Sequence, residues 1–215
     1  MKRNTVFFDL DGTLTESGPG IIQSVRYALA RFGIDEPNNE PLRRFIGPPL
    51  VYSFRTFYGL SADDATRAMH VYREYYEANG MFQNSVYDGI PALLDALKTA
   101  GKRLCVATGK PEKFAVPILR HYGLAHFFDV IGGSDEAETR ADKTTVIRFV
   151  LNASEAATND TVMIGDRHHD VDGAHANGIP CIGVLYGYGD RAELEDARAD
   201  AIAATVSELQ PLLLS

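Results

Sequence analysis

The sequence predicts an α/β protein with a doubly wound parallel sheet and an inserted helical domain. From residue 86 onward, short apolar runs alternate with helical patterns, an order typical of repeated strand–helix units. Residues 16–80 interrupt that order, because they carry helical patterns and no convincing strand. We therefore predict an α/β core formed by residues 1–15 and 81–215, and a small helical cap formed by residues 16–80.

The strands are predicted from apolar runs without polar alternation, because strands covered on both faces are apolar throughout. The first run, Val6–Phe8, leads directly into an acidic segment that begins at Asp9. The later strands are predicted at Arg103–Thr108, Phe128–Gly132, Thr161–Gly165 and Pro180–Leu185, followed by a short one at Asp200–Ala204.

The core helices are predicted from apolar residues at helical spacing and from glycines at their carboxyl ends. Gly101, Gly123 and Gly178 each follow one of these segments. Pro117 is expected to kink or shorten the second core helix, because proline removes a backbone hydrogen bond. The predicted core helices are Pro91–Ala100, Pro111–Tyr122, Asp142–Asn152, Asp170–Asn177 and Val206–Leu214.

The cap is predicted to contain three helices. The first, Gly20–Phe32, carries its apolar residues on one face, and the second, Leu50–Tyr58, stops before a glycine. The third begins after the capping residue Ser61 and reaches Asn79. It carries a stripe of tyrosines at helical spacing, interpreted as a packing surface, at Tyr72, Tyr75 and Tyr76.

Composition and charge exclude several classes of protein. Apolar residues make up 45% of the chain and charged residues 23%, values typical of an ordered globular protein. The formal net charge of −8 argues against nucleic acid or an anionic membrane as partner, because both require a basic face. A small anionic substrate needs only local positive charge, so it is compatible with a negative net charge.

Cysteine usage and hydropathy indicate a cytoplasmic protein. Cys105 and Cys181 lie in predicted strands and are expected to be buried free thiols rather than a disulfide. No apolar run approaches a membrane span, and the first apolar stretch is too short for a signal peptide. We expect a soluble cytoplasmic protein that is a monomer or a homodimer.

The most informative segment is Asp9-Leu10-Asp11-Gly12-Thr13, directly after the first strand. Two carboxylates this close at the mouth of an apolar strand repel each other and need a cation nearby. Mg²⁺ takes oxygen ligands and often joins carboxylates to a phosphate. A solvated acidic turn is the alternative, but the apolar run before the pair and the Gly-Thr after it favour a functional site.

Further polar residues follow the carboxyl ends of later strands. Thr108 and Gly109 end one strand, Asp166 and Asp170 follow another, and Lys143 begins a helix between them. Ligands bind at the edge where the carboxyl ends of parallel strands meet, so these groups should converge. Carboxylates, a hydroxyl, an amide and a lysine at one edge are the groups that phosphoryl transfer needs.

In this order, the residues resemble the four motifs of the haloacid dehalogenase (HAD) superfamily of phosphotransferases, which implies a Rossmann-like core. The resemblance covers nearly the whole chain, and a helical insert after the first motif is typical of the family. Asp11 favours phosphate chemistry, because the dehalogenases themselves lack this second aspartate. Two segments resemble the branch that contains phosphoglycolate phosphatases and 5'-nucleotidases: Phe45-Ile46-Gly47-Pro48-Pro49-Leu50 and Ala107-Thr108-Gly109-Lys110-Pro111.

The resemblance implies a role for each acidic motif residue. Asp9 would attack phosphorus and form an aspartyl-phosphate. Asp11 would protonate the leaving alkoxide and then deprotonate water, and for this it must start protonated. Mg²⁺ would be held by Asp166, by Asp9 and by the main-chain carbonyl of Asp11, with Asp170 as a further ligand or as an anchor of the other ligands.

Thr108, the Gly109 amide and Lys143 would bind phosphate oxygens, and Lys143 would also neutralise Asp9. An ordinary strand-end hydroxyl is the alternative for Thr108, and a solvated lysine in the first helical turn is the alternative for Lys143. Lys110 is the second candidate for the role of Lys143. His168 and His169 are interpreted as loop residues, because adjacent histidines point in different directions and do not make a zinc site.

Two further segments contain residues of the kind that bind ligands. In the cap, Arg43, Arg44 and the turn at Gly47 are candidate contacts for a carboxylate or second phosphate of the substrate, with exposed surface arginines as the alternative. A closing cap would also exclude water from the acyl-phosphate. The glycine-rich segment Gly183–Gly189 lacks the dinucleotide-binding fingerprint and is interpreted as a mobile loop.

The sequence thus predicts an Mg²⁺-dependent phosphatase for a small phosphorylated metabolite. The branch implies phosphoglycolate or a 5'-nucleotide as substrate. A phosphomutase on the same fold is one alternative, and it would depend on a bisphosphate activator. A phospho-acceptor or phosphate-binding module without turnover is another, although such a module needs neither a lid nor the acid/base Asp11.

Overall fold

The computed structural model describes residues 3–135, 139–140 and 142–214. Its strands are β1 (Thr5–Phe8), β2 (Thr15–Glu16), β3 (Ser85–Val86), β4 (Arg103–Pro111), β5 (Val130–Ser134), β6 (Thr161–Gly165), β7 (Cys181–Val184) and β8 (Ala201–Ala203). Six of them form a parallel sheet in the order β5-β4-β1-β6-β7-β8, and β2 pairs with β3 in a separate two-stranded sheet. The predicted fold class is confirmed.

The helices are α1 (Gly18–Ala30), α2 (Asn39–Arg43), α3 (Leu50–Tyr58), α4 (Ala62–Tyr75), α5 (Ile90–Thr99), α6 (Glu112–His121), α7 (Lys143–Ser154), α8 (His168–Ala176), α9 (Arg191–Asp196) and α10 (Val206–Leu214). Two of them, α2 and α9, were not predicted from the sequence. Each is short and buries a single residue, Leu42 in α2 and Leu194 in α9, so neither produces a readable apolar stripe.

The sheet separates two apolar cores, and β1 supplies side chains to both. Val6 and Phe8 pack on the side covered by α5, α6 and α10, whereas Phe7 packs on the side covered by α7, α8 and α9. All three side chains are fully buried. This double covering explains why β1 reads as a continuous apolar run, and it fixes the carboxyl end of β1 inside the sheet.

Among the differences from prediction, three concern β4, α6 and the third cap helix. β4 continues past Thr108 to Pro111, which pairs with Ser134 of β5 after an irregularity in register. Pro117 lies inside α6 without ending it. The third cap helix stops being α-helical at Tyr75, where a π-helical turn follows, closed by a bond from the Met81 amide to the Tyr76 carbonyl.

The chain divides into two compact units, one formed by Met1–Thr15 and Val86–Ser215 and the other by Glu16–Ser85. The second boundary falls after Ser85 rather than after residue 80. The reason is local, because the carbonyl of Gln83 accepts a hydrogen bond from the amide of Gly20 in α1. That bond keeps the segment after the π-helical turn with the helical unit.

Each unit has its own apolar packing. In the helical unit, Tyr72 and Tyr76 are buried and stack with ring centroids 5.5 Å apart, which agrees with a packing role for the tyrosine stripe. In the sheet unit, Cys105 and Cys181 are buried free thiols, as expected. Within the described ranges, no helix is long and apolar enough to cross a membrane.

Candidate active site

The carboxyl ends of β1 and β6 bring two aspartates side by side. The strands are parallel neighbours, with Phe8 opposite Ile164, and the Asp9 amide donates to the Ile164 carbonyl at 2.9 Å. Asp9 follows the last residue of β1, and Asp166 follows the last residue of β6. The predicted convergence of these two motifs is therefore a consequence of strand register.

Asp170 joins this pair from the first turns of α8. One carboxylate oxygen from each of Asp9, Asp166 and Asp170 lies within 4.8 Å of the others. All three residues are buried, with relative exposures of 7%, 0% and 1%. We call Asp9, Asp166 and Asp170 the acidic cluster.

Burial and mutual repulsion perturb the acidic cluster. Burial raises the pKa of Asp166 well above its usual value, and the charges of Asp170 and Asp9 raise it further. Burial also raises the pKa of Asp170, to about 6, although Lys143 opposes the shift. The protein alone therefore does not neutralise the cluster.

Lys143 is a cation in contact with the acidic cluster. It begins α7, and its Nζ lies 2.6 Å from Asp9 Oδ1, 2.7 Å from Asp170 Oδ1 and 3.1 Å from the Ala107 carbonyl. Burial lowers the pKa of Lys143, but the charges of Asp170 and Asp9 outweigh burial and raise it overall. A charged lysine against Asp9 is the arrangement expected from the sequence.

An excess of negative charge remains, because three carboxylates face one ammonium group. The donor set consists of oxygen atoms, is buried and is compact enough for one ion. Hard divalent cations such as Mg²⁺ prefer such ligands. The residues present therefore fit a divalent cation.

The Asp11 side chain forms an ion pair with a lysine. Its Oδ2 lies 2.7 Å from Nζ of Lys110, and both side chains are largely buried. The Lys110 ammonium thus fixes the position of the Asp11 side chain, and the acid/base role of Asp11 stays a prediction. Lys110 was the second candidate for neutralising Asp9, and the structure pairs it with Asp11 instead.

Thr108 and Gly109 lie within the extended β4. Thr108 is 1% exposed, and its hydroxyl oxygen accepts a hydrogen bond from the Lys110 amide at 3.2 Å. Gly109 is exposed. The hydroxyl thus fixes the backbone at Lys110, and phosphate binding by these two residues stays a prediction.

The segment after β7 contributes contacts that sequence reasoning missed. The Tyr188 amide donates to Asp166 Oδ2 at 2.7 Å. A Cβ atom added to Gly187 would lie 2.4 Å from Asp166 Cβ, and one added to Gly12 would lie 2.2 Å from Asp166 Oδ2. The loop interpreted as mobile therefore packs on the acidic cluster, and the Gly-Tyr-Gly at the end of a buried strand was the signal available for it.

The remaining predicted residues are not members of the acidic cluster. His168 begins α8 and faces Glu193, and its ring centroid lies 3.8 Å from that of His169. In the helical unit, Arg43 is exposed at the end of α2, and the guanidinium of Arg44 lies over the Phe57 ring. The turn after α2 places Gly47 at a φ of 108°, and contact of these cap residues with substrate stays a prediction.

The order and placement of these groups can be compared with known families. The model of the haloacid dehalogenase-like hydrolases matches residues 6–184, from β1 to the end of β7. The chain belongs to the haloacid dehalogenase-like hydrolase family. The resemblance drawn from the motifs is confirmed.

Related proteins match over all or nearly all of the chain. The chain is 45% identical to a 5'-nucleotidase of Pseudomonas aeruginosa, over 100% of this chain and 97% of the relative. It is 43% identical to tyrosine-protein kinase PtkA of Mycobacterium tuberculosis, over 97% of this chain and 72% of the relative. It is 28% identical to a phosphoglycolate phosphatase of Vibrio cholerae, over 97% of this chain and 96% of the relative.

A solved structure agrees with these relatives. The crystal structure of a predicted phosphatase from Clostridium acetobutylicum is similar with a TM-score of 0.95 and 46% identity, over 99% of this chain and 98% of that one. The chain is thus an enzyme of the haloacid dehalogenase-like family, with phosphatase-named relatives along its full length.

Proposed function

We propose that this enzyme hydrolyses a small phosphate monoester through an aspartyl-phosphate on Asp9, with Mg²⁺ as cofactor. The observation that carries the proposal is the buried contact of Asp9 with Lys143 beside Asp166 and Asp170. A carboxylate beside a fixed cation and a metal site can approach an anionic phosphate, which a bare acidic pocket would repel. The relatives named 5'-nucleotidase and phosphoglycolate phosphatase support the same reaction class.

The metal would be held by Asp9, Asp166 and Asp170, together with the Asp11 main-chain carbonyl implied by the family resemblance. When bound, it supplies positive charge to the phosphoryl oxygens as negative charge develops on them. Lys143 adds a fixed ammonium on the same side. Together, these groups offset the repulsion between the Asp9 carboxylate and the phosphate.

The first step forms the covalent intermediate. A carboxylate oxygen of Asp9 attacks phosphorus, the phosphorus–oxygen ester bond breaks, and Asp11 gives its proton to the leaving alkoxide. Thr108 and the Gly109 amide donate hydrogen bonds to phosphoryl oxygens. Lys110, whose Nζ lies 2.7 Å from Asp11 Oδ2, holds this carboxyl group in place.

The second step releases the product. Ionised Asp11 takes a proton from water, the water oxygen attacks phosphorus, and the bond from phosphorus to Asp9 breaks. Inorganic phosphate leaves, and Asp11 has regained its proton for the next cycle. Direct contact of Arg43, Arg44 and the Gly47 turn with the rest of the ester is part of this proposal.

A phosphate-release screen tests the proposed substrate class. The purified protein is incubated with phosphoglycolate, nucleoside 5'-monophosphates and sugar phosphates, with Mg²⁺ or with EDTA. We expect phosphate release from a small ester that stops in EDTA and returns with Mg²⁺. Asp9→Asn should abolish release, while Asp200→Asn, a change of the same kind outside the acidic cluster, should not.

The same screen separates the alternatives. Conversion of a sugar phosphate without phosphate release, dependent on a bisphosphate, would indicate the phosphomutase. Labelling of Asp9 without turnover would indicate a phospho-acceptor module. Full activity in EDTA would remove the metal from the mechanism.

A second candidate function comes from the relative named tyrosine-protein kinase PtkA. If the acceptor in the second step is a tyrosine hydroxyl instead of water, the same Asp9 intermediate yields a phosphotyrosine. Incubation with labelled ATP and a tyrosine-containing peptide tests this. Peptide labelling that is lost in Asp9→Asn would support kinase activity, and phosphate release alone would contradict it.

A further inference from the structure

Arg167 and the first turn of α8 connect Asp166 to Asp170, and we call this segment the metal-binding loop. A single carboxylate oxygen binds it on one side. Oε1 of Glu193, on α9, lies 2.8 Å from Nε of Arg167 and 2.9 Å from the His168 amide nitrogen. The Nδ1 atom of the His168 ring lies 2.8 Å from the same oxygen. Three donors from two consecutive residues therefore converge on one atom.

The metal-binding loop is also bound by Asp170, a member of the acidic cluster. The Arg167 amide donates to Asp170 Oδ2 at 3.1 Å. Arg167 and His168 are thus held between Asp170 on one side and Glu193 on the other. Since Asp166 precedes these residues and Asp170 follows them, their position sets the spacing of both carboxylates.

Glu193 is itself well anchored and ionised. Its amide donates to Oδ1 of Asp190, the capping residue of α9, and the next residue, Leu194, is fully buried. Burial raises the pKa of Glu193, but the bonds from His168 and Arg167 outweigh it, so the pKa is lowered overall. A fixed anion at this point also draws the guanidinium of Arg167 toward α9.

We propose that Glu193 is a positioning residue for the metal-binding loop, because it holds Arg167 and His168 where Asp166 and Asp170 share one cation. Loss of Glu193 would let the loop relax and would free the Arg167 side chain from its ion pair with α9. Both effects weaken the binding of a divalent cation. This inference rests on the metal site of the proposed function.

The test is a calorimetric titration of the full chain with MgCl₂ alone, without substrate. Glu193→Ala should weaken Mg²⁺ binding roughly 10- to 100-fold, the usual effect of losing a partner outside the ligands. Glu193→Gln keeps the length and an acceptor oxygen and should lose less. Glu193→Asp keeps the charge but is shorter, so it should resemble Glu193→Ala.

The matched control is Glu195→Gln on the same helix. Glu195 forms an exposed pair with Arg191, so this change removes the same charge from α9 without touching the loop. It should bind Mg²⁺ like the wild type. For the Glu193 variants, activity should require more Mg²⁺, while the substrate KM at saturating Mg²⁺ stays within about 2-fold of the wild type, because the substrate groups are untouched.

Three outcomes would overturn the inference. Wild-type affinity for Mg²⁺ in Glu193→Ala would show that the loop holds its geometry unaided. If Glu193→Asp bound Mg²⁺ as tightly as the wild type, and Glu193→Gln bound it as weakly as Glu193→Ala, the effect would come from charge rather than from position. Absence of Mg²⁺ binding in the wild type would instead refute the proposed metal site and this inference with it. Should Glu193→Ala fail to fold, the Gln and Asp variants carry the comparison.

Discussion

Replacing Lys143 by methionine should destabilise the metal-free protein by about 3–5 kcal/mol near pH 8. The Nζ atom contacts two carboxylates at 2.6 and 2.7 Å, and the side chains of Lys143 and Asp9 are each only 10% exposed. Removing one partner of a buried ion pair costs about 3–5 kcal/mol, because the other charge stays buried without compensation. Methionine conserves length and apolar packing, so the loss reports mainly on the charge.

The assay is urea unfolding in EDTA, with Lys98→Met as the control. Lys98 forms a partly exposed pair with Asp129 at 3.5 Å, and such pairs contribute about 0–1 kcal/mol. The loss for Lys143→Met should shrink toward about pH 5, because the carboxylates it leaves behind can then take up protons. Equal losses of unfolding free energy for the two variants near pH 8 would refute the electrostatic account of the acidic cluster.

Three further predictions follow from the site. In EDTA, the free energy of unfolding should fall as pH rises from 3.8 through about 6, because the pKa of Asp170 in the folded protein is raised above its ordinary value. Urea titrations should show a smaller change with pH for Asp170→Asn. Asp11→Asn should lower phosphate release by roughly 10²–10⁴-fold, and normal turnover would refute its acid/base role. Gly187→Ala should weaken Mg²⁺ binding in calorimetry, because its Cβ would meet the Gly12 carbonyl at 2.3 Å; wild-type affinity would contradict this contact.

The sheet and much of the acidic cluster were predictable because both follow from local patterns. Apolar runs identify buried strands, and a polar residue directly after such a run must lie at the carboxyl edge of the sheet. That reasoning located Asp9 and Asp166, which strand register then brings together. Lys143 was found for a similar reason, since it begins a helix that follows a strand.

The contacts that sequence reasoning missed depend on distant pairings. Nothing in the residues around Asp11 indicates that Lys110, at the end of β4, reaches it. The Gly187 and Tyr188 contacts with Asp166 arise because β7 lies beside β6, and a glycine-rich segment alone does not say which surface it packs on. The helix α9, which carries Glu193, is too short to show a periodic pattern.

The central claim is that Asp9 receives a phosphoryl group. The most direct measurement is an acid quench of the enzyme during turnover of a radiolabelled phosphate monoester, followed by mass spectrometry of the labelled peptide. The account predicts acid-trapped phosphate on Asp9, absent from Asp9→Asn. Turnover without label on Asp9, or phosphate release by Asp9→Asn at the wild-type rate, would contradict it.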